Sequence, residues 1–406
     1  MTHIEQMIKD MCPHGVEWKK LGEVTKSVKT GLNPRTNFIL NDDGANHYYV
    51  TVKEITTGKI VFSDKTDRIT EKARIKIQER SALEIDDILF SGIGTIGKVA
   101  IVDIPTDNWN CSESVFLIKP IKEVIYPKYL MYFLGSIHSK EQYESLSVGS
   151  TLKGVRKAVL EGIEIPIPPL EIQERIVELL DEFSALAAEL QAELQAELQK
   201  RRTQYEYYRT QLLTPPHADS TANSTDDCNW EWKTLGEICN IKVGGEPPQN
   251  VSKEKDAQHT YPIYGNGREV YGYTDSYKID ADAVAISSIG ANTGAVFFYP
   301  AFFTPIIRLK VLLPKSNDIN IRYLYYACSL IDFKSKKSSV PNMSADDIKI
   351  KKVLLPSLKE QKRIADILDR FDKLITSMEE GIPAEQERQQ KRYEYYRDLL
   401  LTFDRC

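Results

Sequence analysis

The chain has 406 residues, of which 42% are hydrophobic and 27% charged, and a net charge of −5. These proportions are those of a globular protein, and the length suffices for two buried cores. The opening residues hold no signal-peptide core, and no apolar run is long and uninterrupted enough to span a membrane. We therefore expect a cytoplasmic protein without a membrane segment. The six cysteines are scattered, which argues against a zinc knuckle or a disulfide framework.

The first part of the chain, up to residue 165, is predicted to be rich in strands. Residues 86–94 and 98–102 are mostly apolar and flank a glycine-rich stretch, a pattern typical of strand, turn and strand. A short helix is expected at 126–136. The charge is nearly balanced here, whereas acidic residues are concentrated in the segments that follow.

A long helix is predicted over residues 171–213. This segment contains no glycine or proline, and apolar residues recur at spacings of three and four from Ile172 to Leu198. Its 43 residues would reach about 64 Å. A helix of that length cannot bury its apolar stripe on one small domain, so a second long helix is expected beside it.

The chain then repeats itself. The opening Trp18-Lys-x-Leu-Gly-Glu23 returns as Trp232-Lys-x-Leu-Gly-Glu237, and Pro168-x-Leu-x-x-Gln-x-Arg-Ile176 returns 188 positions later, at 356–364. A second strand-rich segment and a second helix, 358–401, are expected, with a polar linker before them. Gly381-Ile382-Pro383 is predicted to break this second helix in the middle. The two helices are expected to pair in antiparallel orientation as a coiled coil.

The first helix contains a tandem repeat, Leu-Gln-Ala-Glu, at 190–193 and 194–197. Each four-residue unit adds about 6 Å of helix, against about 3.4 Å for a base-pair step along one DNA strand. The repeat could therefore set the distance between two DNA-reading parts. A low-complexity segment that is present only for its high helix propensity explains the same sequence equally well.

One glycine-rich motif, Gly92-Ile-Gly-Thr-Ile-Gly-Lys98, matches the dinucleotide-binding pattern. It also nearly matches the phosphate-loop pattern. Both nucleotide-binding patterns need a helix after the loop, but a strand is predicted here. Val99 also stands where a phosphate loop needs serine or threonine. A hairpin with exposed Ser91, Thr95 and Lys98 is the better interpretation.

The sequence shows no catalytic or metal-binding constellation. The histidines lie singly, no nucleophile elbow is present, and the Asn-Pro-Pro-aromatic motif of amino-methyltransferases is missing. We expect a non-catalytic chain that binds no cofactor and no metal.

Several predicted loops combine cationic side chains, which suit phosphates, with amides and hydroxyls, which suit base edges. A solvated loop remains open as the alternative for any single residue. Candidates are Lys29, Asn33, Arg35, Asn37, Ser91, Thr95, Lys98, Lys153 and Arg156, and in the second copy Lys242, Gln249, Asn250, Asn266, Arg268, Ser287, Ser288, Asn292, Lys336 and Lys337.

Both helices end in the same tyrosine-rich sequence, Tyr-Glu-Tyr-Tyr-Arg, at 205–209 and 393–397. Its tyrosines surround one helical turn, too many for a single core face, and tyrosine with arginine makes strong interface anchors. A mixture of helix packing and partner binding is expected. The candidates for partner binding are Tyr205, Tyr208, Arg209, Tyr393, Tyr396 and Arg397.

Taken together, the duplicated openings, helix starts and helix ends resemble the specificity subunit of a type I restriction-modification system, over nearly the whole chain. The tandem repeat resembles the type IC branch. The resemblance implies an α+β fold with an internal pseudo-twofold repeat, in which two strand-rich target recognition domains are separated by two long antiparallel helices. The expected boundaries are 1–165, 166–214, 215–229, 230–353 and 354–406: recognition domain, helix, linker, recognition domain and helix.

The resemblance also implies function and partners. Each recognition domain would read one half of a split, asymmetric site in double-stranded DNA. The helices would dock two methyltransferase subunits, which use S-adenosylmethionine, and restriction subunits would supply nuclease activity with ATP and magnesium. Three alternatives remain open: a coiled-coil adaptor that does not bind DNA, an orphan recognition subunit, and a methyltransferase with fused reader domains.

Overall fold

A computed structural model describes residues 2–56, 58–145, 154–215, 230–333 and 343–406. The chain divides into two compact units. Unit 1 comprises residues up to 192 together with 384–406, and unit 2 comprises 193–383. The cut falls within the two long helices, α7 (Leu170–Leu212) and α11 (Leu358–Leu400), because each half of a helix packs on a different core.

Unit 1 is built mainly on strands, as predicted. Its strands are β1 Glu17–Lys20, β2 Thr25–Thr30, β3 His47–Val50, β4 Arg68–Ile69, β5 Ile88–Ser91, β6 Val99–Ile101, β7 Trp109–Cys111, β8 Val115–Pro120 and β9 Glu164–Ile167. Its short helices are α1 Thr2–Met11, α2 Pro34–Asn37, α3 Glu71–Ser81, α4 Pro127–Leu134, α5 Ile137–Ser145 and α6 Lys157–Glu161. The strands form three sheets, in the orders β2-β8-β5-β6, β4-β3-β7 and β1-β9.

Unit 2 repeats this architecture. Its strands are β10 Glu231–Thr234, β11 Cys239–Val243, β12 Tyr261–Tyr264, β13 Val270–Thr274, β14 Ala283–Ile286, β15 Val296–Tyr299, β16 Thr304–Pro305, β17 Lys310–Pro314 and β18 Lys352–Leu355. Its short helices are α8 Leu235–Ile238, α9 Ile321–Ser329 and α10 Ala345–Lys349. The sheets have the orders β11-β17-β14-β15, β13-β12-β16 and β10-β18, and each three-stranded sheet contains one parallel pair, β3–β7 or β12–β16.

Helices α7 and α11 each have 43 residues and begin 188 positions apart. In unit 1 the first half of α7 packs with the last turns of α11, where the rings of Phe183 and Tyr396 stack at 5.7 Å. In unit 2 the second half of α7 packs with the first half of α11, where Tyr208 stacks on Phe371, also at 5.7 Å. These pairings make the two helices antiparallel, as predicted.

The predicted break of the second helix is wrong, because α11 continues through Pro383. Proline cannot donate the backbone hydrogen bond to the carbonyl four residues earlier. However, the side chain of Ile382 is buried in a cluster with Leu198 and Ile375, and this packing keeps the segment helical. Of the described helices, none is long and apolar enough to cross a membrane.

Each long helix is anchored to its unit by a buried glutamine from the repeated motif. In unit 1 the amide of Gln173 accepts a hydrogen bond from Tyr126 N at 2.8 Å and donates to Pro168 O at 2.7 Å. In unit 2 the amide of Gln361 accepts from Asn320 N at 2.9 Å and donates to Pro356 O at 2.9 Å. Because each buried glutamine satisfies backbone groups both at its own helix start and at the start of a short helix of the unit, it anchors the long helix there.

Candidate nucleic-acid interface

The candidate residues of unit 1 gather at one end of its four-stranded sheet. Antiparallel pairing places the end of β2 and the end of β5 beside the start of β8, and the start of β6 beside β5. The connecting segments 31–37, 91–98 and 112–114 therefore lie at the same end. We call these segments the loop end of unit 1.

Asn33 organises the first of these segments. Its side-chain oxygen accepts a hydrogen bond from Arg35 N at 2.8 Å and caps α2, and its amide donates to the carboxylate of Glu113. Asn37 donates to Asn33 O at 2.9 Å and so supports the same turn. The side chains of Lys29 and Arg35 are exposed, which leaves both cations free to approach a phosphate.

The predicted β5–β6 hairpin is present, but Ser91 is not exposed on it. The hydroxyl of Ser91 is buried and donates to Thr95 O at 2.6 Å, while Lys98 N donates to it at 2.8 Å. Lys98 is half-buried, and its ammonium donates to Val52 O at 3.0 Å. Thr95 is exposed at the tip. The expectation of exposure was wrong for Ser91 because β5 is an inner strand covered on both faces.

A fourth segment approaches the same hairpin. Val155 N donates to Gly92 O at 2.8 Å, and Gly154 forms an antiparallel bridge with Ile93. Arg156, at the start of α6, is exposed. Lys153 lies outside the described residues, as do Lys336 and Lys337 of the second copy.

In unit 2 the corresponding segments are 244–250, 287–295 and 306–309, which we call the loop end of unit 2. Asn266 ties the second and third of them together. Its side-chain oxygen accepts hydrogen bonds from Ser287 Oγ at 3.2 Å and Ser288 N at 2.9 Å, and its amide donates to Ile307 O. Asn292, which is exposed, donates to Asn266 O at 3.2 Å. With its amide engaged in this way, Asn266 positions these loops.

The remaining candidates of unit 2 differ in accessibility. Ser287 and Ser288 are buried at the end of β14, again an inner strand, so a direct surface contact is unsupported for both. Lys242, Gln249 and Arg268 are exposed. Asn250 is exposed and forms hydrogen bonds with Asp275 at 3.0 Å and His259 at 2.9 Å. These contacts lie at one end of the β12–β13 pair, whereas Asn266 lies at the other end. The structure therefore does not bring Asn250 together with the other candidates.

Two segments of the loop ends were not predicted from sequence. Glu113 lies beside Asn33 in unit 1, and the turn Ile306–Leu309 lies beside Asn266 in unit 2. Neither carries an asparagine-glycine signal or a cationic run, so the residue pattern gave no reason to single them out.

The tyrosine-rich helix ends show the helix packing that was expected of them, while partner binding by these residues stays a prediction. Tyr205 and Tyr393 turn inward, and burial raises the pKa of both phenols above the ordinary value of 10. Tyr208 and Tyr396 stack on Phe371 and Phe183. Arg209 and Arg397 are engaged with carboxylates, in the pairs Arg209–Glu206 and Arg397–Asp398.

The most exposed rings in these segments are two that the sequence did not single out. Tyr207 is 60% exposed and Tyr395 is 65% exposed. Each packs edge-on against the next tyrosine, with ring centroids 5.4 Å apart in both copies. An exposed tyrosine ring, supported by the next tyrosine, therefore stands at the same position of each helix.

In both copies each long helix is also joined to its unit at an aspartate. Asp181 accepts hydrogen bonds from Lys128 at 2.6 Å and Tyr132 at 2.5 Å, and Asp369 accepts from Arg322 at 2.5 Å and Tyr326 at 2.6 Å. Across the described ranges, no group of histidine, cysteine, aspartate or glutamate residues could hold a metal ion.

Comparison with known proteins accounts for this repeated architecture. A family model described as the type I restriction modification DNA specificity domain matches twice, over residues 13–200 and 228–388. The chain belongs to the family of type I restriction-modification DNA specificity subunits. It is a sequence-specific DNA-recognition subunit without catalytic activity, and subunits of this family work with modification and restriction subunits.

Individual relatives span nearly the whole chain. The type I restriction enzyme EcoR124I/EcoR124II specificity subunit of Escherichia coli is 28% identical over 441 residues, covering 99% of this chain and 97% of the relative. A crystal structure of the HsdS subunit from Thermoanaerobacter tengcongensis matches with a TM-score of 0.58 and 19% identity, over 96% of this chain and 97% of that one. A chain from a structural study of complex assembly and conformational transition of the type I R-M system matches with a TM-score of 0.69 and 19% identity. The match covers 96% of this chain and 98% of that one.

Proposed function

We propose that each unit of this specificity subunit reads one half of a split DNA site through its loop end. The supporting observation is the repeated four-stranded sheet, which has the same strand order in the two copies but different side chains at its loop end. Unit 1 presents Lys29, Arg35 and Thr95, and unit 2 presents Lys242, Arg268 and Asn292. Since the two sets differ, the two half-sites differ and the target is asymmetric.

The exposed cations would contact phosphates and hold the chain in register on the duplex. The amides and hydroxyls between them would supply base readout. Ser91, Ser287, Ser288 and Asn266 would act indirectly, by holding the loops that carry the contacting residues. The negative net charge does not oppose this role, since the acidic residues are concentrated in the helical segments and linker.

We further propose that the helices dock two methyltransferase subunits, one at each tyrosine-rich helix end. The paired rings Tyr207–Tyr208 and Tyr395–Tyr396 offer the same apolar and hydrogen-bonding surface in both copies. S-adenosylmethionine, ATP and magnesium would be held by the modification and restriction subunits, and this chain would hold none of them. The tandem repeat supports the type IC branch, and DNA as target supports a cytoplasmic location.

Sequencing of adenine methylation in cells that carry this chain with its methyltransferase subunits tests the proposal. We expect a single split motif with two dissimilar halves, absent from cells that lack the chain. Duplex binding by the complex should weaken steeply with salt, as phosphate contacts require. A chain that leaves methylation unchanged and binds no duplex would instead be an adaptor.

A further inference from the structure

The turn Ile306–Leu309 of unit 2 has an unusual backbone. Leu309 N donates to Ile306 O at 3.1 Å, which closes a four-residue turn, and both central residues have positive φ, 51° at Ile307 and 59° at Arg308. Positive φ at both positions is the requirement of a type I′ turn, which is dominated by asparagine, aspartate and glycine. A β-branched isoleucine at positive φ is a backbone outlier.

Neighbouring loops hold this strained turn in place. Ile307 N donates to Gly245 O at 2.8 Å and Arg308 N to Gly244 O at 3.0 Å. The carbonyl of Arg308 accepts from Ser288 Oγ at 2.8 Å and from the ammonium of Lys310 at 3.0 Å. Strained residues persist only where the surroundings over-determine them, and such residues cluster at functional sites.

The two central side chains of the turn are exposed to solvent. Ile307 is 41% exposed and Arg308 is exposed, while Ile306 and Leu309 are buried. Lys310 lies buried just behind the turn, and burial together with the charge of Arg308 lowers the pKa of its ammonium. The turn thus presents one apolar and one cationic side chain, which suits a partner that offers both a hydrogen-bond acceptor and an apolar group.

Unit 1 has the corresponding turn with different chemistry. Val115 N donates to Ser112 O at 3.2 Å, and the central residues Glu113 and Ser114 do not have positive φ. The carboxylate of Glu113 accepts a hydrogen bond from Asn33. The same position of the repeat therefore offers an acceptor in unit 1 and a guanidinium beside an apolar side chain in unit 2.

We propose that Ile307 and Arg308 form a base-contacting tip of unit 2, with Arg308 donating to the acceptors of guanine and Ile307 packing on a thymine methyl group in the major groove. Arginine on guanine and apolar side chains on the thymine methyl are the expected pairings for these groups. This inference rests on the proposed function of the loop ends. The strain is retained because asparagine and glycine would make the turn without making these contacts.

The test uses the full chain in complex with its methyltransferase subunits, with genome-wide adenine methylation as the readout. Arg308→Ala should relax one position in one half of the split motif, with a loss of discrimination of about tenfold or more, and should leave the other half unchanged. The double variant Ile307→Asn, Arg308→Gly should melt at a higher temperature than the wild type while losing discrimination in the same half. A merely structural turn would not combine these two effects.

Phe302→Asn is the matched control. Phe302 also has positive φ, 67°, and is 48% exposed, but it lies on the other side of β16 from the turn. This variant should keep the motif intact. An unchanged motif in Arg308→Ala would overturn the inference. So would DNA binding that weakens equally for all sequences and depends less steeply on salt concentration, because that combination marks the loss of a phosphate contact. If the wild-type complex gives no split motif, the proposed function fails instead.

Discussion

Replacing Lys119 with leucine is expected to lower the free energy of unfolding by about 3 kcal/mol at pH 7.5. Lys119 pairs with Asp87 at 2.9 Å, and the side chain of Asp87 is only 4% exposed. Removal of the lysine leaves a buried carboxylate without its cation, which costs far more than loss of a surface ion pair. Urea unfolding of the full chain measures the difference.

Unit 2 supplies the control for this prediction. Ile88 pairs with Ile118 in unit 1 as Val284 pairs with Leu312 in unit 2. The next positions outward are Asp87 with Lys119 in unit 1, and Ala283 with Leu313 in unit 2. The double variant Asp87→Ala, Lys119→Leu copies the apolar pair and should recover most of the lost stability. If the double variant is as unstable as the single one, the ion-pair explanation is wrong.

The stability that Lys119→Leu loses should also depend on pH. Burial raises the pKa of Asp87 to about 6 from its ordinary 3.8, and Lys119 only partly offsets this. Because the folded-state pKa is the higher one, stability contributed by the protonated carboxyl is present below pH 4 and is lost as pH rises through 6. Without Lys119 the pKa rises further, so the deficit of Lys119→Leu should be larger at pH 8 than at pH 5.

Gln173→Leu is expected to lower the free energy of unfolding by about 3 kcal/mol, because one buried and two half-buried backbone groups lose their hydrogen-bond partner. These groups are Tyr126 N, Val124 O and Pro168 O. Gln361→Leu should cost a similar amount in unit 2, where Asn320 N, Asp318 O and Pro356 O are held in the same way.

Gln191→Leu provides the control on the same helix. Its side chain is exposed, so the change should be within about 0.5 kcal/mol. Urea unfolding compares the three variants. A loss below about 1 kcal/mol for both buried glutamines would show that the motif is not the anchor of the helices.

The helices could be predicted from sequence because their signal is periodic and long. The first was expected at 171–213 and is observed at 170–212. The predicted break at Pro383 failed because a local rule was applied where packing of Ile382 decides the outcome. Proline removes one backbone hydrogen bond, and the burial of the neighbouring Ile382 side chain is enough to keep the helix continuous through Pro383.

The candidate site was only partly predictable. Asn33 and Asn266 were found from composition, but their amides hold loops together, and no local pattern distinguishes a positioning amide from a reading one. Ser91, Ser287 and Ser288 were expected on the surface because they border glycine-rich turns, yet the inner strands bury them. The turn at Ile307 and Arg308 could not be predicted from sequence, because its backbone conformation contradicts the preference of its own residues.

The most direct test of the central claim, that two dissimilar units read two half-sites, is an exchange of residues 16–165. The exchanged chain carries the corresponding segment of another family member and is expressed with its methyltransferase subunits, and adenine methylation is sequenced genome-wide. We predict that one half of the split motif changes while the other half and the spacer between them stay the same. Alteration of both halves, or an unaltered motif, would contradict independent reading by the two units.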